Sequence, residues 1–260
     1  MRNPKEEMFR IADPKMILKA RLSAGETPIG ALVRMPSEDV IEMLGVAGFA
    51  FLIIDCEHGP ADVVALRRHI TVADLHGMPV LVRIGEGENA LALRALDQGA
   101  QGIIAPHVDD AADAAALVRA VHYPPYGQRG FATYPRAGRF GTVPAEDHRR
   151  AARETTLVIA MLESPTAVDN TEAILNTPGI DGYLIGAADL AAASGPDDPP
   201  VPEAIAEIRR RAAQIGSIRT DLVGDARAAR DARAAGAGLI VYNLTQALMG
   251  FFGELTDLDH

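Results

Sequence analysis

The stretch Phe51–Pro60, FLIIDCEHGP, opens on four apolar residues, then carries an acid, a thiol, an acid and a histidine before its closing glycine and proline. An apolar run without alternating polar positions reads as a strand buried on both faces, as in a parallel sheet coated by helices. The chain repeats the pattern on either side. PIGALVRM, PVLVRI, QGIIAPHV, TLVIAMLE, GYLIGAAD, DLVGD and GLIVYN read as further strands. Alanine-rich helical segments such as SEDVIEMLGVAGF, ENALALRALDQG, DDAADAAALVRAVH and TAVDNTEAIL lie between them. Several begin on Ser, Asp, Asn or Thr and end near Gly, as capped helices do. Eight such units in 260 residues predict an α/β (β/α)8 barrel, a single domain over residues 1–260. A doubly wound sheet is the competing arrangement, but no GxGxxG follows the first strand.

Composition narrows the function classes. At 48% hydrophobic residues the chain can bury a full core. No apolar run reaches the length of a membrane span, and the N-terminal MRNPKEEMFR lacks the apolar centre of a signal peptide. The single cysteine, Cys56, excludes an internal disulfide framework and points to a reducing, cytoplasmic setting. A formal charge of −10 disfavours sequence-independent nucleic-acid binding.

In a barrel, chemistry gathers where strands give way to helices. Those ends carry Asp55, Glu57 and His58 after the second strand, Arg83 after the third, Glu163 after the fifth and Asp189 after the sixth. Carboxylate oxygens of this kind suit Mg²⁺ or Mn²⁺, with water or substrate completing the shell. Each residue also has a bland reading: the acids as strand-end caps, His58 as a turn residue, Arg83 as a structural ion pair. Cys56 reads as a packing residue. His107, in APHVDD, suits packing or ligation equally. Their common placement is what favours function.

The motifs IDCEHGP, PVLVR, GAQGIIAP, YPPYGQRG, MLES and GIDGYLIGAADL occur in this order, and from about Pro28 to Met249 the chain resembles the HpcH/HpaI class II, metal-dependent 2-oxo-acid aldolases. That family is similar to the phosphoenolpyruvate-utilising barrels. The resemblance implies a divalent metal (Mg²⁺ or Mn²⁺, with Co²⁺ possible) on Glu163 and Asp189. It implies His58 as general base, Asp97 as the acid that orients it, and Arg83 on the pyruvate carbonyl. Asp55 then lies near the aldehyde end, and Gly186, Ala187, Ala188 and Leu222 form the pyruvate carboxylate pocket. The implied reaction joins or cleaves pyruvate, or a close 2-oxo acid, and an aldehyde. The implied assembly is a hexamer, a trimer of dimers with exchanged C-terminal helices.

The chemistry needs these residue types. A fixed guanidinium stabilises charge where the enolate oxygen develops, and an imidazole moves the aldol hydroxyl proton. No lysine at a strand end offers a Schiff base. The chain departs from the family pattern at Ala187 and Ala191, where proline and serine are usual, before the seventh strand, where RTDLVGD lacks the usual glycine, and at Thr245, where aspartate is usual. Related enolate chemistry on another electrophile (citrate-synthase-like or acyl-CoA lyase), oxaloacetate decarboxylation and a degraded-site scaffold are the rival readings. Two long segments, Tyr123–Pro144 and Ala193–Pro202, read as lids or binding edges. The first lies in an acid-free run containing Arg119, Arg129, Arg136 and Arg139, which suggests attraction for anions.

Overall fold

The computed structural model describes residues 17–59 and 62–257; Pro60, Ala61, the N-terminal residues 1–16 and residues 258–260 lie outside the described residues. The strands are β1 (Ile29–Val33), β2 (Phe51–Asp55), β3 (Val80–Arg83), β4 (Gly102–Ala105), β5 (Leu157–Leu162), β6 (Gly182–Ile185), β7 (Ile218–Val223) and β8 (Leu239–Asn243). Each pairs in parallel with its neighbour in sequence, and β8 closes on β1 through Gly30↔Val241 and Ala31↔Tyr242. The predicted (β/α)8 barrel is the fold.

The period of two along a strand explains why these runs are apolar throughout. On β2, Phe51 and Ile53 point into the barrel against Leu81, Leu157 and Val241. Leu52 and Ile54 point outward into the larger cluster beneath the helices. Gly30 makes room for Phe51: a Cβ there would fall 2.6 Å from the phenyl ring. The short helix α1 (Leu18–Ser23) places Leu18 in the same interior cluster, where it plugs the end at which the strands begin.

The coat comprises α2 (Glu38–Val46), α3 (Val63–Leu75), α4 (Asn89–Asp97), α5 (Ala111–Val121), α6 (Ala145–Thr155), α7 (Pro165–Asp169), α8 (Thr171–Leu175), α9 (Ala187–Ala193), α10 (Val201–Ile215), α11 (Ala226–Ala234) and α12 (Leu244–Thr256). Ser37, Asp62, Asp110, Ser164 and Asp225 cap their helices through side-chain oxygens, as the sequence signals suggested. TAVDNTEAIL, read as one helix, is two, broken at Asn170. GYLIGAAD is strand only to Ile185, and Ala187 already begins α9.

Topology corrects the reading of the first long segment. Residues 123–144 join α5 to α6, and their contacts with the carboxyl-terminal parts of α3 and α4 place them where the strands begin, at the end opposite the mouth. Their arginines are structural. Arg129 is buried, donates to Asp97 at 2.7 Å and stacks 4.4 Å from the Tyr123 ring centroid. Arg136 pairs with Asp74 and donates to the Gln98 carbonyl at 3.1 Å. The second segment joins α9 to α10 on the mouth side. Among the described residues no helix is long and apolar enough to cross a membrane. In α12 only Leu244 is buried, while Met249, Phe251, Phe252 and Leu255 are exposed.

Candidate active site

The inward register that buries Phe51 and Ile53 continues to Asp55. The same alternation carries Leu81 to Arg83, Leu32 to Arg34, Met161 to Glu163 and Val241 to Asn243. A polar tier thus sits directly on the apolar interior, at the carboxyl ends of the strands. Above it opens a cleft of about 760 Å³, lined by Arg34, His58, Arg83, Met161, Gly186, Asp189, Thr220, Leu222 and Asn243 among others.

Asp55 is wholly buried at 0% exposure. Its Oδ1 accepts from Arg83 Nε at 2.9 Å and from the backbone N–H groups of Glu57 and His58, both at 3.2 Å. Its Oδ2 accepts from Arg34 Nε at 2.7 Å and from Arg83 Nη2. Burial pushes the carboxyl pKa up, but Arg83, the His58 N–H and Arg34 together hold it below the usual range. The residue expected near the aldehyde is thus the anchor of two guanidiniums.

Arg83 Nε also lies 3.2 Å from Glu57 Oε2, and burial, which disfavours the cation, is outweighed by Asp55, Glu57 and Glu163, so its pKa is raised. Glu57 Oε2 is buried without a hydrogen bond and lies 3.8 Å from His58 Nε2. His58 stands at the rim with its side chain 58% exposed.

Glu163 is 3% exposed; its Oε1 accepts the His107 N–H at 2.7 Å, and the His107 ring Nδ1 lies 3.4 Å away. His107, with φ of 50°, supports this carboxylate through both contacts. Burial raises the Glu163 pKa first, and the charges of Asp189 and Glu57 add to it, against the opposing His107 contacts. Asp189 is exposed in the first turn of α9. Gly186 lies beneath Glu163: a Cβ there would fall 2.2 Å from Oε2.

Among the described residues no three or more His, Cys, Asp or Glu converge as a metal cluster. Two mutually repelling carboxylates nevertheless fit a hard divalent cation, whose charge would relieve the strain that burial puts on Glu163. Ala187 occupies the first helical position of α9. Proline is favoured there, so the family's proline and this alanine serve the same turn.

Asp97 does not meet His58 within one chain. It ends α4, which descends from the mouth to the opposite end, and its carboxylate takes Arg129. Arg34 and Asn243 were missed by the sequence reading, although alternation from Leu32 and Val241 would have found them. The Cys56 thiol is pushed up to about 12 by burial and then by Asp55 and Glu88, so it is an unreactive packing group.

Comparison with known proteins gives the family. The chain is 36% identical over 191 residues to a pyruvate aldolase of Rhizobium etli, covering 73% of this chain and 74% of that one. It is 37% identical over 177 residues to a 5-keto-4-deoxy-D-glucarate aldolase of Klebsiella pneumoniae, 68% of each. A solved HpcH/HpaI aldolase/citrate lyase family protein of Burkholderia cenocepacia superposes with a TM-score of 0.82 at 33% identity, covering 92% of this chain and 96% of that one. The family model for HpcH/HpaI aldolase/citrate lyase matches residues 30–240, and the chain belongs to that family.

Proposed function

We propose that the protein is a metal-dependent aldolase that reversibly joins pyruvate, or a close 2-oxo acid, to an aldehyde. The observation that carries this reading is the charge-locked Arg83, near enough to feel the Glu163 charge, with Asp189 acting on the same Glu163 from the start of α9. Glu163 and Asp189 would hold Mg²⁺, Mn²⁺ or Co²⁺. Such a cation supplies positive charge that withdraws electron density from the carbonyl of the 2-oxo acid. Arg83, fixed by Asp55 and Glu57, donates to the oxygen on which enolate charge develops, and its rigidity spares reorganisation during the reaction. The Gly186–Ala188 turn and Leu222 bound the pyruvate end of the cleft. His58, at the rim, takes the hydroxyl proton of the aldol during cleavage and returns it in synthesis, worth ~10²–10⁴-fold in rate.

Because His58 and Asp97 lie at opposite ends of one barrel, their pairing is a contact between two copies of the chain. The exposed apolar side chains of α12 support the same assembly, a hexamer built as a trimer of dimers that exchange this helix. The single, unreactive cysteine supports a cytoplasmic setting.

The test is exchange of pyruvate methyl protons in deuterated water, read by proton NMR with Mg²⁺ or Mn²⁺ present. Exchange should appear, stop on chelation and slow strongly in Arg83→Ala. Absence of exchange, together with no turnover of any aldehyde in a panel, would refute the reading.

A further inference from the structure

We propose that a cavity at the end of the barrel opposite the mouth binds a small carboxylic acid with an apolar body, its carboxylate seated on Arg129. The cavity, of about 270 Å³, lies between the end of α4, the 123–144 segment and α6, and its lining residues are different from those of the cleft at the mouth. Its apolar wall is Leu96, Ala100, Val143, Pro144 and Ala151. A volume near the lower end of the range for ligand pockets, apolar but for a few polar groups, suits a molecule of roughly ten non-hydrogen atoms. The proposed site stands whatever reaction the mouth performs.

Arg129 is the group that calls for such a ligand. Its side chain is only 3% exposed. One amino group donates to Asp97 at 2.7 Å, and the Tyr123 ring covers one face of the guanidinium, with its centroid 4.4 Å away. Among the described residues the Arg129 Nε–H, also buried, meets no acceptor. A buried donor on a charged group is costly to leave unpaired, and an acceptor from outside the chain would complete it. With one face covered, that acceptor approaches in the guanidinium plane, and carboxylate oxygens match the edge presented there. The other charges favour an anion. Among the described residues the charged side chains lining the cavity are Arg129, Arg139, Arg150 and Asp147, three cations to one anion. Arg150 donates to that one carboxylate at 2.6 Å, and Asp97 lies outside the lining. Arg139 is presented by a turn in which it and Phe140 take left-handed φ values of 48° and 57°, a conformation that costs energy at residues other than glycine.

The test is calorimetric titration of the whole protein, with chelator present, by benzoate and by benzyl alcohol, which share an apolar body and differ in charge. Wild type should bind benzoate at one site per chain with a Kd of about 1 mM or below. It should bind the alcohol about tenfold more weakly or worse, the scale of one charge-assisted hydrogen bond. Arg129→Lys, which keeps a cation beside Asp97 but lacks the Nε–H, should remove that preference. Ala151→Leu, which fills the cavity from α6 and leaves Arg129 in place, should weaken both ligands about tenfold or more, with circular dichroism showing each variant folded. The wild-type comparison needs neither variant: equal binding of acid and alcohol, or binding of neither, overturns the assignment. A preference kept by Arg129→Lys, or benzoate affinity unchanged in Ala151→Leu, overturns it as well. Repeating the benzoate titration with Mn²⁺ and pyruvate in place of chelator should leave the affinity unchanged. Displacement of benzoate there would place its carboxylate in the cleft at the mouth and refute the far-end site.

Discussion

Glu163 is a carboxylate kept under electrostatic stress. Its raised pKa means that the folded chain binds this proton more tightly than the unfolded chain does. The ionised side chain therefore costs stability above its raised pKa, and the cost is relieved as pH falls through it. Glu163→Gln, which still presents an oxygen to the His107 N–H, should raise the Tm of metal-free protein at neutral pH while weakening Mn²⁺ binding measured by electron paramagnetic resonance. In wild type, Mn²⁺ affinity should begin to fall at a higher pH than an ordinary glutamate would dictate. Asp55 has the opposite sign: its lowered pKa contributes stability that is present above the normal carboxylate range and lost as pH falls through the lowered value. Asp55→Asn strands the buried guanidinium of Arg83 and the half-buried one of Arg34, and should cost about 3–5 kcal/mol in urea unfolding. At this scale the sequence was legible wherever a reactive residue ended an apolar run, as with Asp55, Arg83 and Glu163. The bonds by which Asp55 and His107 hold their neighbours were not legible, because hydrogen-bond saturation is a tertiary property.

At the scale of elements, the barrel could be read because every strand but β7 is buried on both faces over most of its length and apolar up to its carboxyl end. The position of residues 123–144 was not legible: they join two helices, α5 and α6, and only the contacts of Arg129 with Asp97 and Arg136 with Asp74 fix them at the far end. Nor was the break at Asn170, since TAVDNTEAIL carries no Gly or Pro to mark it. The β6–α9 junction offers the sharpest check on the proposed metal site. Gly186→Ala would drive a methyl group into the Glu163 carboxylate and should remove Mn²⁺ binding while leaving the circular dichroism of the barrel intact. Retained affinity would mean that Glu163 can swing away and that the two carboxylates do not act as a pair.

For the whole molecule, α12 is the element least satisfied by its own barrel. Its exposed Met249, Phe251, Phe252 and Leu255 form an apolar surface on a helix anchored by one buried leucine. Light scattering at micromolar concentration should give a mass well above that of the 27.6 kDa chain. Phe251→Ser combined with Phe252→Ser should shift that mass downward; a wild-type monomer would remove the basis for the assembly.

His58 stands at one end of the barrel and Asp97 at the other. On the proposed assembly, in which the base comes from the top of one copy and its partner from the bottom of another, the site is divisible in a genetic sense. His58→Ala and Asp97→Ala subunits, each deficient alone, should complement one another when dissociated and reassembled together. The hybrid would hold some sites with both groups intact and others with neither. Recovered turnover in the mixture, absent when either variant is reassembled by itself, would make the site the property of a contact rather than of a polypeptide.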